Sequence, residues 1–174
     1  LWDIGCNAGE YSEVAIAAGT RLVVGFEYDQ GALELSYQRA INNNLNFLPL
    51  YLDLANPSPS QGWNQSERPG IYQRRCADGL VALAIIHHLC IGRNIPLVDA
   101  VHWLVKLAPN GVIEFVPKSD SMVQELLKLR EDIFYNYSEE EFEQALNSVA
   151  KINKTAVITE SGRKLYWYIC PSEN

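Results

Sequence analysis

The chain has no run of apolar residues near the ~20 needed to cross a bilayer as a helix, and no secretory leader pattern at its start. Its four cysteines, Cys6, Cys76, Cys90 and Cys170, are scattered and form no Cys-x-x-Cys pair. That scatter favours reduced, mostly buried thiols in a cytoplasmic protein over a disulfide framework. The histidines are few, and His102 stands alone in a helical segment, so no metal-ligand cluster is expected. Basic residues are in deficit: 14 Lys and Arg face 21 Asp and Glu, for a net charge of −7. They are dispersed rather than striped, which argues against the basic footprint of a nucleic-acid binder. No internal repeat is present.

What remains is ordinary globular composition, 48% hydrophobic and 20% charged, in 174 residues. This is the size of one domain with a substantial core, expected to span 1–174. Apolar runs and helix-patterned segments alternate. Leu1 to Ile4 reads as a strand end, Glu10 to Ala18 as a helix closed by Gly19, and Arg21 to Glu27 as a buried strand. Gln30 to Ile41 is a helix capped by Asp29, and Asn46 to Leu52 a third strand ending near Asp53. Ala55 to Gly70 is rich in Pro, Ser and Gly and reads as a long loop of the functional kind. Leu80 to Ile86 is expected as a fourth strand, Pro96 to Leu107 as a helix, Val112 to Val116 as a fifth strand, and Ser121 to Arg130 as a helix. Ser138 and Glu141 form a capping box with Tyr137 and Phe142 as its hydrophobic staple. Thr155 to Thr159 and Leu165 to Ile169 make a closing hairpin around Glu160-Ser161-Gly162. Alternation of this kind demands a doubly wound, Rossmann-like α/β sheet with helices on both faces, and the hairpin adds an antiparallel edge. Only three residues precede the first turn and no Met leads the chain. The first strand is therefore expected to be cut short and the chain to be part of a longer protein.

The richest stretch is Asp3-Ile-Gly5-Cys6-Asn7-Ala-Gly9, a strand end running through a glycine-spaced turn into a helix. Gly5 and Gly9 would let the backbone approach a ligand where a Cβ collides. Asn7 stands where a dinucleotide turn places its middle glycine, which counts against a tightly held pyrophosphate. Acids also end the next two strands, at Glu27 and Asp53. Each has a plain alternative: Asp3 capping the turn, Glu27 as a solvated strand end, Asp53 as an Asx-turn former. Taken together they favour a ligand.

In sequence these segments resemble the class I S-adenosylmethionine-dependent methyltransferases over almost the whole chain, most nearly a bacterial nodulation-like subgroup. Asp3 to Gly9 resembles their first motif, Val23-Val-Gly25-Phe-Glu27 their second strand, Leu50-Tyr-Leu-Asp53-Leu54 their third, and Ala77 to Leu89 their fourth. The resemblance implies seven strands in the order 3-2-1-4-5-7-6 with the last antiparallel, and S-adenosyl-L-methionine as cofactor. It implies that Asp3 and the Gly5–Cys6–Asn7–Gly9 turn hold the methionine end. Glu27, with Tyr28 beside it, would accept both ribose hydroxyls; Asp53 and Leu54 would contact adenine. No Asp/Asn-Pro-Pro-Tyr follows the fourth strand, which speaks against exocyclic-base or glutamine-amide chemistry.

Methyl transfer from a sulfonium needs alignment, exclusion of water and sometimes a base. His87 and His88, at the expected end of the fourth strand, are candidate bases, with backbone hydrogen bonding as the plain alternative. Glu114 is either substrate-facing or a paired buried acid. Glu10 and Tyr11 would border the methionine end, and Lys118 and Asp120 follow the fifth strand. Arg68 and Tyr72, with Arg74 and Arg75, are candidates for recognising a substrate expected to be a small molecule, Arg68 through a carboxylate or phosphate. Oligomeric state is not legible. Two other readings carry the same features less well: a non-catalytic binding module acting as partner or sensor, and a nicotinamide-dependent reductase.

Overall fold

A computed structural model describes residues 1–74, 77–128 and 130–171. Arg75 of the recognition stretch, Cys76, and Leu129 of the expected fourth helix lie outside them. Seven strands form one sheet in the order β3-β2-β1-β4-β5-β7-β6. They are β1 (Trp2–Ile4), β2 (Val23–Glu27), β3 (Phe47–Tyr51), β4 (Leu80–Ala82), β5 (Asn110–Phe115), β6 (Lys151–Val157) and β7 (Lys164–Ile169). The β1, β2 and β3 pairings and β1–β4 are parallel, while β7 runs antiparallel to both β5 and β6. This is the expected order and the expected reversal. The helices are α1 (Glu10–Ala17), α2 (Gln30–Asn42), α3 (Leu97–Val105), α4 (Ser121–Leu127) and α5 (Glu139–Val149).

The chain falls into two compact units, Leu1–Val81 and the remainder from Ala82. In the first unit, β1 carries Trp2, Asp3 and Ile4, all buried, and α1 begins at once beyond the turn. Gly19 closes α1 as a Schellman cap: its amide bonds Ile16 O, and the Thr20 amide bonds Ala15 O. Its φ of 102° is one that glycine adopts without strain. Asp29 caps α2 by accepting from the Ala32 amide, as expected. Phe47, Val23, Ala40 and Cys6 form a shared buried cluster.

In the second unit the Ser138–Glu141 cap is formed, at 3.2 Å, and Tyr137 and Phe142 are both buried. Phe142 packs on Tyr166 of β7 and on Phe115 of β5. The hairpin is longer than expected, because β6 begins at Lys151.

The clearest correction concerns the fourth strand. The apolar run of residues 80–86 reads as one strand, but β4 ends at Ala82. Ala84 takes a left-handed φ of 49°, and a five-residue π-helical turn, His88–Gly92, follows His87. Hydrophobicity alone does not separate a buried strand from a buried turn. His87 and His88 therefore do not end a strand but enter this turn. The expected helix through Arg130 also stops at Leu127, and the 55–70 loop contains a short 3-10 turn, Trp63–Gln65, beside a bridge between Gln61 and Arg68.

Candidate functional site: the acidic edge of the first unit

Glu27 ends β2, Asp53 lies two residues beyond β3, and Asp3 is the middle residue of β1, one short of its C-terminal end. Asp3 is 3% exposed, and its Oδ2 accepts from the Ser12 hydroxyl at 2.7 Å. Burial, helped by the nearby Glu27 charge and opposed by the Ser12 bond, raises its carboxyl to about 6. Among the described residues no Lys, Arg or His side chain pairs with it. Ser12 is the partner that sequence reasoning missed. Its signal is a polar residue on the side of α1 that faces β1.

Glu27 is held by the turn itself. Its Oε2 accepts from the Asn7 amide at 2.8 Å, and its Oε1 from the Tyr28 and Asp29 amides at 2.7 and 2.8 Å. Asn7 can donate there because its φ is 47°, in the left-handed region that asparagine tolerates better than most residues. A carboxylate has about four acceptor sites, so one on Oε2 stays open. The bidentate grip on two hydroxyls implied by the resemblance therefore narrows to one direct acceptor, with Oε1 able to share only through a three-centre bond.

The glycines divide the work. Gly5 has φ 76°, and its amide and that of Cys6 both donate to Phe26 O, at 2.8 and 3.0 Å, closing the turn on β2. Gly9, expected to admit a ligand, instead admits the core. A Cβ there would meet Phe47 Cε1 at 2.5 Å and Ser36 Cβ at 3.4 Å. Gly25 is likewise closed by Phe47 and by the Cys6 sulfur. The Cys6 side chain lies in that core, and burial pushes its thiol up to about 12, so only its backbone faces the turn. Arg39 ties α2 to the turn by donating from Nε to Ala8 O at 2.8 Å, and it also pairs with Glu13 and, at 3.5 Å, with Glu10. Asp53 makes the Asx turn weighed as its alternative, Oδ1 accepting from the Ala55 amide at 2.9 Å. Tyr28 and Tyr51, both half-exposed, set their rings 6.1 Å apart at the ends of β2 and β3. Tyr51 is the aromatic that sequence reasoning passed over; its register opposite Glu27 is the signal. Leu54 is partly exposed, and Tyr11 is 60% exposed.

The remaining candidates are placed as follows. Arg68 is exposed, its backbone paired with Gln61; Tyr72 is exposed beyond it. In the second unit His87 is buried and His88 exposed, with rings 4.3 Å apart. Burial, the neighbouring His88 and Arg163 hold His87 down at about 3. Glu114 is a paired buried acid: Oε2 accepts from the Ala84 amide at 2.8 Å, and Oε1 lies 3.5 Å from Arg163 Nη1. Asp120 caps α4 and takes two 2.8 Å bonds from Arg163. Lys118 pairs with Asp132 at 2.8 Å, and His102 bonds Ser148 at 2.9 Å.

The acidic edge suits a ligand with a positive centre and hydroxyl donors. A buried carboxylate without a cationic partner gains from an ammonium or sulfonium. The same edge, with Asn7 in the turn, repels a pyrophosphate.

No family model matches the chain. Over 166 residues, 95% of its length, it is 47% identical to the nodulation protein NoeA of Rhizobium meliloti (strain 1021), and it spans 35% of that protein. Among solved structures, magnesium protoporphyrin IX methyltransferase (ChlM) from Synechocystis PCC 6803, with bound SAH, superposes at a TM-score of 0.65 with 18% identity, covering 98% of this chain and 73% of that one. The 16S rRNA methyltransferase RmtF, in complex with S-adenosyl-L-homocysteine, gives 0.62 with 16% identity, covering 98% and 55%. The chain thus shares the fold of these methyltransferase structures, with the strand order that the sequence resemblance implied. The nodulation-like likeness is carried by the 47% identical relative.

Proposed function

We propose that this chain is the cofactor-binding and catalytic domain of an S-adenosylmethionine-dependent methyltransferase acting on an oxygen or nitrogen nucleophile of a small molecule. The observation that carries the reading is the edge built from Asp3, Asn7 and Glu27. It pairs a buried acid that has no cationic partner among the described residues with a backbone-fixed carboxylate that keeps one acceptor site open. When bound, the cofactor supplies the electrophilic methyl group. The chain's residues would hold it: Asp3 the ammonium end, Glu27 a ribose hydroxyl, Tyr28 and the second oxygen of Asp53 the adenosine. The solved structures that bind this cofactor or its product, ChlM and RmtF, share the fold, which supports the assignment.

A small-molecule substrate rests on the −7 charge and the dispersed basic residues. RmtF acts on rRNA with the same fold, so the fold does not decide this point; the acidic balance is what supports the small-molecule reading. Arg68 and Tyr72 remain the proposed substrate contacts. A cytoplasmic setting is proposed from the scattered cysteines, of which Cys6, Cys90 and Cys170 are free thiols. No helix among the described residues is long and apolar enough to cross a membrane.

Catalytic duty is narrower than the sequence suggested. With Glu114 tied to Ala84 and Arg163, and His87 a poor proton acceptor, a general base falls to His88 or is not needed. That thinness is what favours the second reading, a binding module that holds the cofactor without turnover.

The test is calorimetric titration with S-adenosylhomocysteine. Micromolar binding is expected, with Glu27→Ala weakening it roughly 10- to 150-fold, the worth of a charge-assisted hydrogen bond. Glu27→Gln, which keeps an acceptor oxygen, should recover part of the loss. Wild-type affinity in Glu27→Ala sinks the ribose assignment. Binding of a nicotinamide dinucleotide in place of S-adenosylhomocysteine sinks the function.

A further inference from the structure

Three costly features fall within nine residues of the second unit. Ala84 carries a β-carbon at φ 49°. The five residues from His88 to Gly92 form a π-helical turn. Between them His87 is 1% exposed, and its Nδ1 is buried with no hydrogen-bond partner among the described residues. Each has a price: a left-handed non-glycine residue, a rare helix geometry found mostly at functional sites, and a desolvated polar atom.

The surroundings hold this arrangement in place. Glu114 Oε2 receives the Ala84 amide at 2.8 Å, so a buried carboxylate anchors the strained residue. Arg163 Nη1 lies 3.5 Å from Glu114 Oε1, and Arg163 is itself fixed by two 2.8 Å bonds to Asp120. Ser161 adds a third donor to Asp120 at 2.7 Å. Glu114 and Arg163 are thus positioning residues for the turn that carries His87.

We propose that His87 Nδ1 is a docking point for a hydroxyl group of an uncharged ligand. A hydroxyl satisfies either tautomer of a neutral imidazole, donating to a bare Nδ1 or accepting from an Nδ1–H. A carboxylate or phosphate serves only one tautomer. It would also meet Asp120 and Glu114, with the Arg163 guanidinium already committed to both. An ammonium would serve only the other tautomer, and would be desolvated beside Arg163. The identification of this ligand with the methyl-accepting substrate rests on the methyltransferase reading; the docking point itself does not.

The test uses the whole chain without cofactor. The chain has three histidines, so the long-range proton–nitrogen NMR spectrum of their rings is simple enough to assign by substitution. Phenol is titrated as a neutral hydroxyl probe, with benzoate and benzylammonium as charged counterparts. A saturable shift of the His87 Nδ1 resonance with phenol, at least several-fold larger than with either charged probe, is expected. No shift with phenol, or equal shifts with all three, overturns the proposal. A second arm needs no ligand. His87→Leu removes the unpaired atom, so its melting temperature should equal or exceed the wild type, by up to roughly 8 °C. A lower melting temperature overturns it equally. Neither arm depends on S-adenosylmethionine, so a failed cofactor titration and a failed docking point are separate results.

Discussion

Replacing Asp3 by Asn should make the free protein more stable and its cofactor binding worse. Burial moves the Asp3 carboxyl from 3.8 to about 6. At 1.36 kcal/mol per pH unit this makes the folded state about 3 kcal/mol less stable when Asp3 is fully ionised. The sign follows from the direction of the shift. An acid whose folded value is raised costs nothing below its unfolded value. The cost grows as pH rises from 3.8 to 6 and is constant above. The linkage relation puts it at about 1 kcal/mol at pH 4.5 and about 3 kcal/mol at pH 8. The Asp3→Asn side chain mimics the protonated acid and can still accept from Ser12. The variant's advantage over the wild type should therefore widen by about 2 kcal/mol between those two pH values. Urea unfolding with an unchanged m-value reads the difference directly. Asp120 titrates below this window and does not interfere. Adding S-adenosylmethionine should then raise the melting temperature of the wild type and leave Asp3→Asn nearly unmoved. Parallel pH curves for the two proteins would refute the burial argument, and an undiminished ligand shift in the variant would refute the cation site.

Two further outcomes test the frame around the sites. Gly9→Ala should cost roughly 3 kcal/mol, from its φ of 79° and the overlap with Phe47, and a double-mutant cycle with Phe47→Leu should recover part of it; additive losses would show that the two do not touch. Arg163→Met leaves Asp120 and Glu114 without their shared guanidinium and should cost about 3 kcal/mol at pH 7. Arg163 holds the Asp120 carboxyl well below the usual carboxylate range. That stability is present above pH 4 and lost as pH falls further, so acid unfolding of the variant should be the shallower of the two when followed by circular dichroism.

Much of the fold, and the acidic strand ends of the candidate site, were legible because local chemistry decided them. Gly19, Asp29 and Ser138 act through neighbours within a few residues, and each cap formed where its residue type demanded. The acids at β1, β2 and β3 were legible because each directly follows an apolar run. What was not legible depends on partners far along the chain. Gly9 looked like a ligand-facing glycine, yet its space is taken by Phe47, 38 positions later by residue number. Glu114 was open between two roles until Arg163 and the Ala84 amide settled it. The fourth strand was overextended because residues 83–86 are as apolar as residues 80–82, and only the tertiary demand on Ala84 bends the chain out of the sheet.

That last failure bears on function. A sequence that reads as a continuous buried strand has no local reason to break at Ala84, where a β-carbon is disfavoured in the left-handed region. Nor has it a local reason to bury an imidazole three residues later with one nitrogen unpaired. Local preference and final structure disagree sharply here. The disagreement is held by Glu114, Arg163 and Asp120, charged residues whose burial itself carries a cost. Buried charges arranged to hold a strained turn are a poor route to stability, since apolar side chains in the same volume often do as well or better. They are a good route to fixing one geometry. The opening turn shows the same logic at smaller cost: Asn7, at φ 47°, aims its amide at Glu27, and an acid buried at Asp3 has no cation on it among the described residues. Each unit thus carries one place where folding free energy has been given up to keep a polar group poised, and those two places are where ligands are to be sought.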